Sequence, residues 1–236
     1  MKKSLSIISL LLSSWSFGQT TIQDIFNEIE TIEKKFQADN PIWRGEHPEV
    51  YPVQNLEKLI VKTELLREQL IRLESLNPSS LSNQDKINRE VRMLQLRDEV
   101  SEVDFNMHLI TINAEGGRYS SPVFFLKRLP FQTNSDYQDY LKWLPSYANV
   151  VRQEKQMLEE GMKAGVLVPR VIVQNTIQLL EPWTGEASTN PFFDPFGTMP
   201  ASISSDDQKA LTDQAIRIIE KDLIPAYKDL GSFLSG

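Results

Sequence analysis

Apolar side chains recur at three- and four-residue intervals along most of this sequence, which is the spacing of one face of an α-helix. The pattern predicts a first helix over 21–36 and a second over about 56–76. Proline-containing breaks at 40–41 and 77–80 separate each of these helices from the residues that follow. No internal repeat is present. We therefore predict an all-α protein, a helical array or bundle.

The third predicted helix carries two opposed apolar faces. Ser82 followed by Asp85 has the form of a capping box at its start. One face comprises Ile87, Val91, Leu94, Phe105, Leu109 and Ile112, and the other comprises Leu96, Val100, Val103, Met107 and Ile110. Because a helix that is apolar on two sides should be covered on both, we expect it to be the central long helix. Asp98 and Ser101 interrupt the first face, and we expect Asp98 to pair with an arginine of a neighbouring helix rather than to act in catalysis.

The stretch 129–183 predicts three helical segments separated by proline and glycine. Residues 133–136 form an N-terminal cap, and Pro145 either kinks the helix that follows or begins another. We expect Gly165 to end the next segment in the left-handed conformation, and Pro169 to begin the last one.

The C-terminal part of the sequence predicts exposed apolar surface. A loop over 182–204 places three phenylalanines between prolines, and a final helix from about 205 is interrupted by Pro225. We expect exposed apolar side chains around 192–196, and on the final helix around Ile218, Ile224 and Phe233.

Composition and the N-terminal residues bear on location and partners. The 236 residues carry a formal net charge of −7, which argues against nucleic acid or an anionic membrane as the main partner. Residues 1–18 predict a signal peptide whose apolar run is too short to anchor the chain in a bilayer, so 19–236 is expected to be exported, periplasmic or extracellular. The sequence has no cysteine, which excludes disulfides, thiolate zinc sites and lipid attachment through an N-terminal cysteine.

Residue chemistry alone nominates no active site. The two histidines, His47 and His108, do not form an H-E-x-x-H pair. We expect His47 to be exposed or locally bonded in a loop, and His108 to be packed beside a polar partner. The sequence has no G-x-S-x-G elbow and no phosphate loop. The glutamate-rich stretch 154–160 is expected to be a solvated helix face.

The most specific motif lies between residues 130 and 173. It reads Pro130-Phe131-x-Thr133-x-x-Asp136-Tyr137-x-x-Tyr140-Leu141, then Pro145-x-Tyr147, then Glu160-Gly161-Met162-x-x-Gly165-x-x-x-Pro169-Arg170-Val171-x-Val173. This motif resembles the bacterial family catalogued as domain of unknown function 885 (DUF885). Leu223-Ile224-Pro225-Ala226-Tyr227-Lys228 resembles the segment ahead of that family's second half. The upstream helices fit more loosely, so the resemblance covers nearly all of 19–236.

The resemblance implies an exported, largely helical protein whose C-terminal half carries an H-E-x-x-x-G-H-H-like signature and resembles carboxypeptidase-type zinc peptidases. In that half, a zinc-activated water would attack a peptide carbonyl with a glutamate as general base. Because this sequence contains none of those residues, we expect a truncated or split member that forms the N-terminal wall of the cleft and is inactive alone. No catalytic residue, metal ligand or cofactor is expected in this chain, and zinc is expected only in the C-terminal half.

The resemblance also implies partners. Arg170 could contact the carboxylate of a peptide substrate through its bidentate fork, or it could form a structural ion pair at a helix start. The expected partners are a separate C-terminal half or a second copy, bound through exposed apolar surface. One rival is a stand-alone periplasmic binding module that uses 183–196 as its contact surface. The other is a non-functional product of a broken gene.

Overall fold

Helices account for most of the chain in the computed structural model, which describes residues 21–36, 50–51 and 53–236. Their bounds are α1 Ile22–Phe36, α2 Leu56–Ser75, α3 Asn83–Asp104, α4 Pro122–Phe125, α5 Asn134–Lys163, α6 Arg170–Leu179, α7 Glu181–Thr184, α8 Ser205–Ile218 and α9 Ile224–Ser235. Strands β1 Ile112–Asn113 and β2 Gly116–Gly117 form a two-residue antiparallel hairpin. The predicted all-α class is confirmed. The predicted signal peptide and His47 lie outside the described residues, and no described helix is long and apolar enough to cross a membrane.

Helix starts follow the capping residues that the sequence predicts. The Asp85 N–H donates to Ser82 Oγ at 3.1 Å at the start of α3. At the start of α5, the Asp136 N–H donates to Thr133 Oγ1 at 3.3 Å, and the Thr133 N–H donates back to the Asp136 carboxylate at 2.8 Å. These bonds satisfy N–H groups that the first turn of a helix leaves without partners, so local sequence determines where both helices begin.

The central helix is α5, not the third helix. It runs unbroken for 30 residues, so Pro145 does not begin a new helix. Its inward side supplies a large part of the larger apolar core, and it packs against α8 and α9. The buried residues of α5 are Tyr137, Tyr140, Leu141, Trp143, Leu144, Tyr147, Ala148, Val150, Val151, Glu154, Met157, Leu158 and Gly161.

Helix α3 has one covered face, so the prediction of two covered faces was wrong. Met93, Leu96 and Val100 are buried, and the first two join a smaller core with α1 and α2. Helix α2 packs on that side, whereas Ile87, Val91 and Leu94 on the other side are more than half exposed. The helix also ends at Asp104, before a left-handed Asn106, and does not continue to residue 112.

The phenylalanine-containing loop folds inward. Short 3₁₀ turns over Pro191–Thr198 bring Phe192 and Phe196 into the larger core. The Phe192 ring meets that of Tyr147 edge-on, with centroids 5.1 Å apart. The expected exposure around 192–196 was therefore wrong, because these rings pack on α5. The expected exposure of Ile224 was also wrong, because this residue is buried. Ile218 and Phe233 are partly buried against the same core.

Two turns near the C-terminal helices behave as the sequence predicts. Gly165 adopts φ +77° after α5, and the N–H groups of Gly165 and Val166 donate to the carbonyls of Met162 and Gly161 at 3.2 and 2.8 Å. This is the left-handed helix end that glycine favours. Between α8 and α9, a π-helical turn over Ile219–Leu223 accommodates Pro225, which cannot donate a backbone hydrogen bond.

Candidate functional site

A buried carboxylate holds a tight turn against the central helix. Glu154 of α5 is 1% exposed, and its carboxylate accepts the N–H of Tyr119 at 2.7 Å and that of Arg118 at 3.1 Å. The expectation that 154–160 is a solvated face was wrong at this residue. A sequence signal for its burial exists, since Glu154 follows Tyr147 by seven residues and precedes Leu158 by four, on the apolar side of the helix.

The carbonyls of the same turn are held by two tyrosines. Tyr147 Oη donates to the carbonyl of Arg118, and Tyr227 Oη donates to the carbonyl of Tyr119 at 2.6 Å. Gly117 precedes this turn, and an added Cβ there would lie against Glu154 Oε1 and 2.9 Å from the carbonyl of Thr111. Glycine is therefore required for close packing of the turn on α5.

Burial makes Glu154 titrate near neutral pH. Desolvation raises its pKa from an ordinary 4.5 to about 7, against the opposing effect of the Tyr119 and Arg118 N–H donors. Burial also raises the pKa of Tyr147 and that of Tyr227 well above 10, so both remain protonated donors. Because Glu154 is buried, it positions the turn rather than reaching a substrate in solvent.

Unpartnered polar atoms lie close to this turn. Within the described part of the chain, Tyr119 Oη, Thr111 Oγ1 and Thr176 Oγ1 are buried without a hydrogen bond. Burial raises the pKa of Tyr119, and the nearby Thr176 hydroxyl opposes this rise only in part. The two hydroxyl groups lie close to each other but do not form a hydrogen bond. The polar cluster is therefore only partly satisfied.

A groove of about 300 Å³ with both polar and apolar walls opens beside Arg118. Its polar lining comes from residues before α2, at the end of α3 and in the segment that follows α3: Gln54, Glu102, His108, Thr111 and Arg118. The Arg118 guanidinium donates to Gln153 Oε1 at 3.3 Å. The expected polar partner of His108 is not seen at Nδ1, which is buried without a hydrogen bond to any described residue.

Arg170 is the first residue of α6 and is exposed. Helix α6 packs on α9 and on β1, and its Asn175 side chain donates to the carbonyl of Ala114 at 3.3 Å. A structural ion pair of Arg170 is not seen among the described residues. Its contact with a substrate carboxylate stays a prediction.

The described residues do not fit a zinc site. They contain no group of three histidine, aspartate or glutamate side chains close enough to bind one metal ion.

An apolar row runs along the uncovered side of α3. We call it the α3 stripe: Ile87, Val91 and Leu94 of α3 together with Phe105 immediately after its end, which are 60%, 53%, 60% and 71% exposed. Asp98 and Ser101 lie between its members in the same row. Asp98 is exposed and forms no ion pair with a described residue, so the expectation that it pairs with a neighbouring arginine was wrong; Arg97 and Arg92 pair with Glu74 and Glu33 instead. Several large apolar side chains left in solvent along one row are typical of an interaction surface.

The comparisons identify a family and a fold. The sequence model described as "Bacterial protein of unknown function (DUF885)" matches residues 55–236. No curated protein matches the chain. A solved structure described as "the putative lipoprotein from Colwellia psychrerythraea" is similar at a TM-score of 0.64 and 15% identity, covering 90% of this chain and 41% of that one. The likeness concerns the fold, and this chain spans less than half the length of that protein.

Proposed function

The chain belongs to the DUF885 family of bacterial proteins, and from this premise we propose that it forms the N-terminal helical wall of an exported, peptidase-like protein. In this proposal a C-terminal half supplies the zinc, its ligands and the general base. The described residues supply one side of the cleft and have no peptidase activity alone.

One observation carries the proposal. Nine-tenths of this chain aligns with 41% of the Colwellia psychrerythraea protein, so the same helical arrangement occurs there as one part of a longer polypeptide. The α3 stripe supports the same conclusion, because its side chains would be covered if further helices packed against them.

Export is part of the proposal. It is supported by the basic start and short apolar run within residues 1–18, and by the description of the Colwellia psychrerythraea protein as a lipoprotein. Lipid attachment is not proposed for this chain, because it contains no cysteine.

Reconstitution tests the function. The purified chain is assayed with zinc on a mixture of unstructured peptides, alone and after addition of the polypeptide encoded directly downstream. We expect hydrolysis only in the mixture, at a rate that saturates at one chain per partner. Hydrolysis by this chain alone, or none in the mixture, would contradict the proposal.

The rival function is a stand-alone helical binding module. The contact surface expected from the sequence, 183–196, has Phe192 and Phe196 buried, whereas the α3 stripe is exposed and offers another. An H-E-x-x-x-G-H-H-like segment encoded directly downstream would favour the peptidase wall. An unrelated gene after a clean stop would favour the binding module.

A further inference from the structure

The α3 stripe has the spacing of a coiled-coil seam. Steps of four and three residues alternate along its row, which comprises positions 87, 91, 94, 98 and 101 of α3 and position 105 immediately after it. In heptad terms these positions alternate between d and a, the sites that face a partner helix. The opposite side of α3 packs on α2 and shares a core with α1, while Val91 of the row also lines a groove with Phe26 and Glu33 of α1. The exposed row is therefore a second seam, shaped for another helix.

The negative charge within this seam restricts which partner helix can bind to it. Asp98 occupies an inner a position, and Glu102 lies beside it; both are exposed. The nearby arginines are engaged elsewhere, Arg97 with Glu74 at 2.8 Å and Arg92 with Glu33. Neither Asp98 nor Glu102 forms an ion pair within the described ranges. A carboxylate that becomes covered in a helix interface needs a cation opposite it.

A second copy of this chain does not meet that requirement. A parallel pair would place Asp98 against Asp98, which is unfavourable for two carboxylates. In an antiparallel pair, an a position faces a d position, so Asp98 would meet residues such as Leu94 or Ser101, neither of which is a cation. The net charge of −7 adds further repulsion between copies.

We propose that the α3 stripe binds an amphipathic helix that carries a lysine or arginine opposite Asp98, and that this helix belongs to the remainder of a longer DUF885 protein. The assignment to the remainder of the protein rests on the proposed function. The seam geometry and its need for a basic residue rest on α3 alone.

A pair of synthetic peptides tests the seam. Each is a three-heptad helix with leucine at its a and d positions, except that one carries lysine and the other glutamate opposite Asp98. Binding to the full chain is followed by fluorescence anisotropy. We expect the lysine peptide to bind at least about tenfold more tightly, and Asp98→Lys to reverse that preference. Leu94→Lys should abolish binding, whereas Ile71→Lys, on the exposed side of α2, should not.

Three results would overturn the inference. These are no binding of either peptide, equal binding that Asp98→Lys does not alter, and a stable dimer of the chain that Leu94→Lys converts to monomer.

The experiments distinguish failure of the proposed function from failure of the helix assignment. Peptide selectivity without peptidase activity in the reconstituted mixture would count against the proposed function alone. Reconstituted activity that Asp98→Lys leaves unchanged would count against the helix assignment alone.

Discussion

The Glu154 carboxylate accepts the backbone N–H of Tyr119 at 2.7 Å inside the larger core. The carbonyl of the same Tyr119 accepts a hydrogen bond from Tyr227 of α9 at 2.6 Å. One peptide segment thus joins the central helix to the C-terminal helix through buried polar bonds. Such bonds strengthen in a low-dielectric interior and become costly when one partner is lost.

Stability should fall as the pH rises toward neutrality because of Glu154. Its folded pKa of about 7 lies above the ordinary 4.5, so the folded state binds more protons between these values. The stabilisation is complete below about pH 4.5 and is lost as the pH passes through about 7, a change of about 3 kcal/mol. Urea unfolding from pH 4.5 to 8 measures this change.

The matched variants isolate the contribution of Glu154. Glu154→Gln resembles the protonated acid at every pH, so its free energy of unfolding should lack this decline. Glu102→Gln, at an exposed position, should keep the wild-type pH profile. Parallel profiles for wild type and Glu154→Gln would show that the carboxyl does not titrate in this range.

Gly117→Ala should destabilise the fold. The new Cβ would collide with Glu154 Oε1 and crowd the carbonyl of Thr111, so we expect a loss of about 1–3 kcal/mol. Gly197→Ala is the control, because a Cβ there meets no atom within 4 Å. Thermal unfolding compares the two variants. Equal melting temperatures would mean that the turn can move away from α5 at no cost.

Two tyrosine-to-phenylalanine variants should change the free energy of unfolding differently. Tyr227→Phe leaves the carbonyl of Tyr119 without its 2.6 Å donor, which should cost about 1–3 kcal/mol. Tyr119→Phe removes a buried hydroxyl that lacks a hydrogen-bond partner among the described residues, so it should be neutral or stabilising. Chemical unfolding distinguishes them, and a larger loss for Tyr119→Phe would contradict the bonding pattern described above.

Local sequence predicted much of the fold. The bounds of α1 and α2, the caps at Ser82 and Thr133, and the left-handed Gly165 each depend on residues a few positions apart. Local sequence patterns could not predict which helix occupies the centre of the fold. An apolar face shows that a helix can be covered, but whether a neighbour covers it depends on residues far along the chain. Hence α3 keeps an uncovered apolar side while α5 occupies the centre.

The candidate site was less predictable. The burial of Glu154 is visible in its helical spacing from Tyr147, yet its role depends on the N–H groups of a turn more than thirty residues earlier. No short-range pattern brings these groups together. The burial of Phe192 and Phe196 likewise depends on long-range packing against α5.

If the reconstituted mixture hydrolyses peptides, as we propose, Arg170 should affect its choice of substrate. Arg170→Ala should raise KM about tenfold for peptides with a free C-terminal carboxylate and leave amidated peptides unaffected, since the guanidinium would bind the carboxylate. Arg152→Ala, at another exposed arginine, is the control. Steady-state assays on paired peptides measure the effect. Equal changes for free and amidated peptides would rule out carboxylate recognition.

If this chain is one wall of a larger helical protein, as we propose, the remainder of that protein covers it along α3. Because the sequence contains no cysteine, a single Leu94→Cys variant allows site-specific thiol labelling. Its labelling rate is measured alone and with the polypeptide encoded directly downstream, beside an Ile71→Cys control on α2. We predict fast labelling alone and protection of at least about tenfold in the mixture at position 94 only, because an interface core excludes water. Equal labelling of position 94 in both conditions would contradict the account.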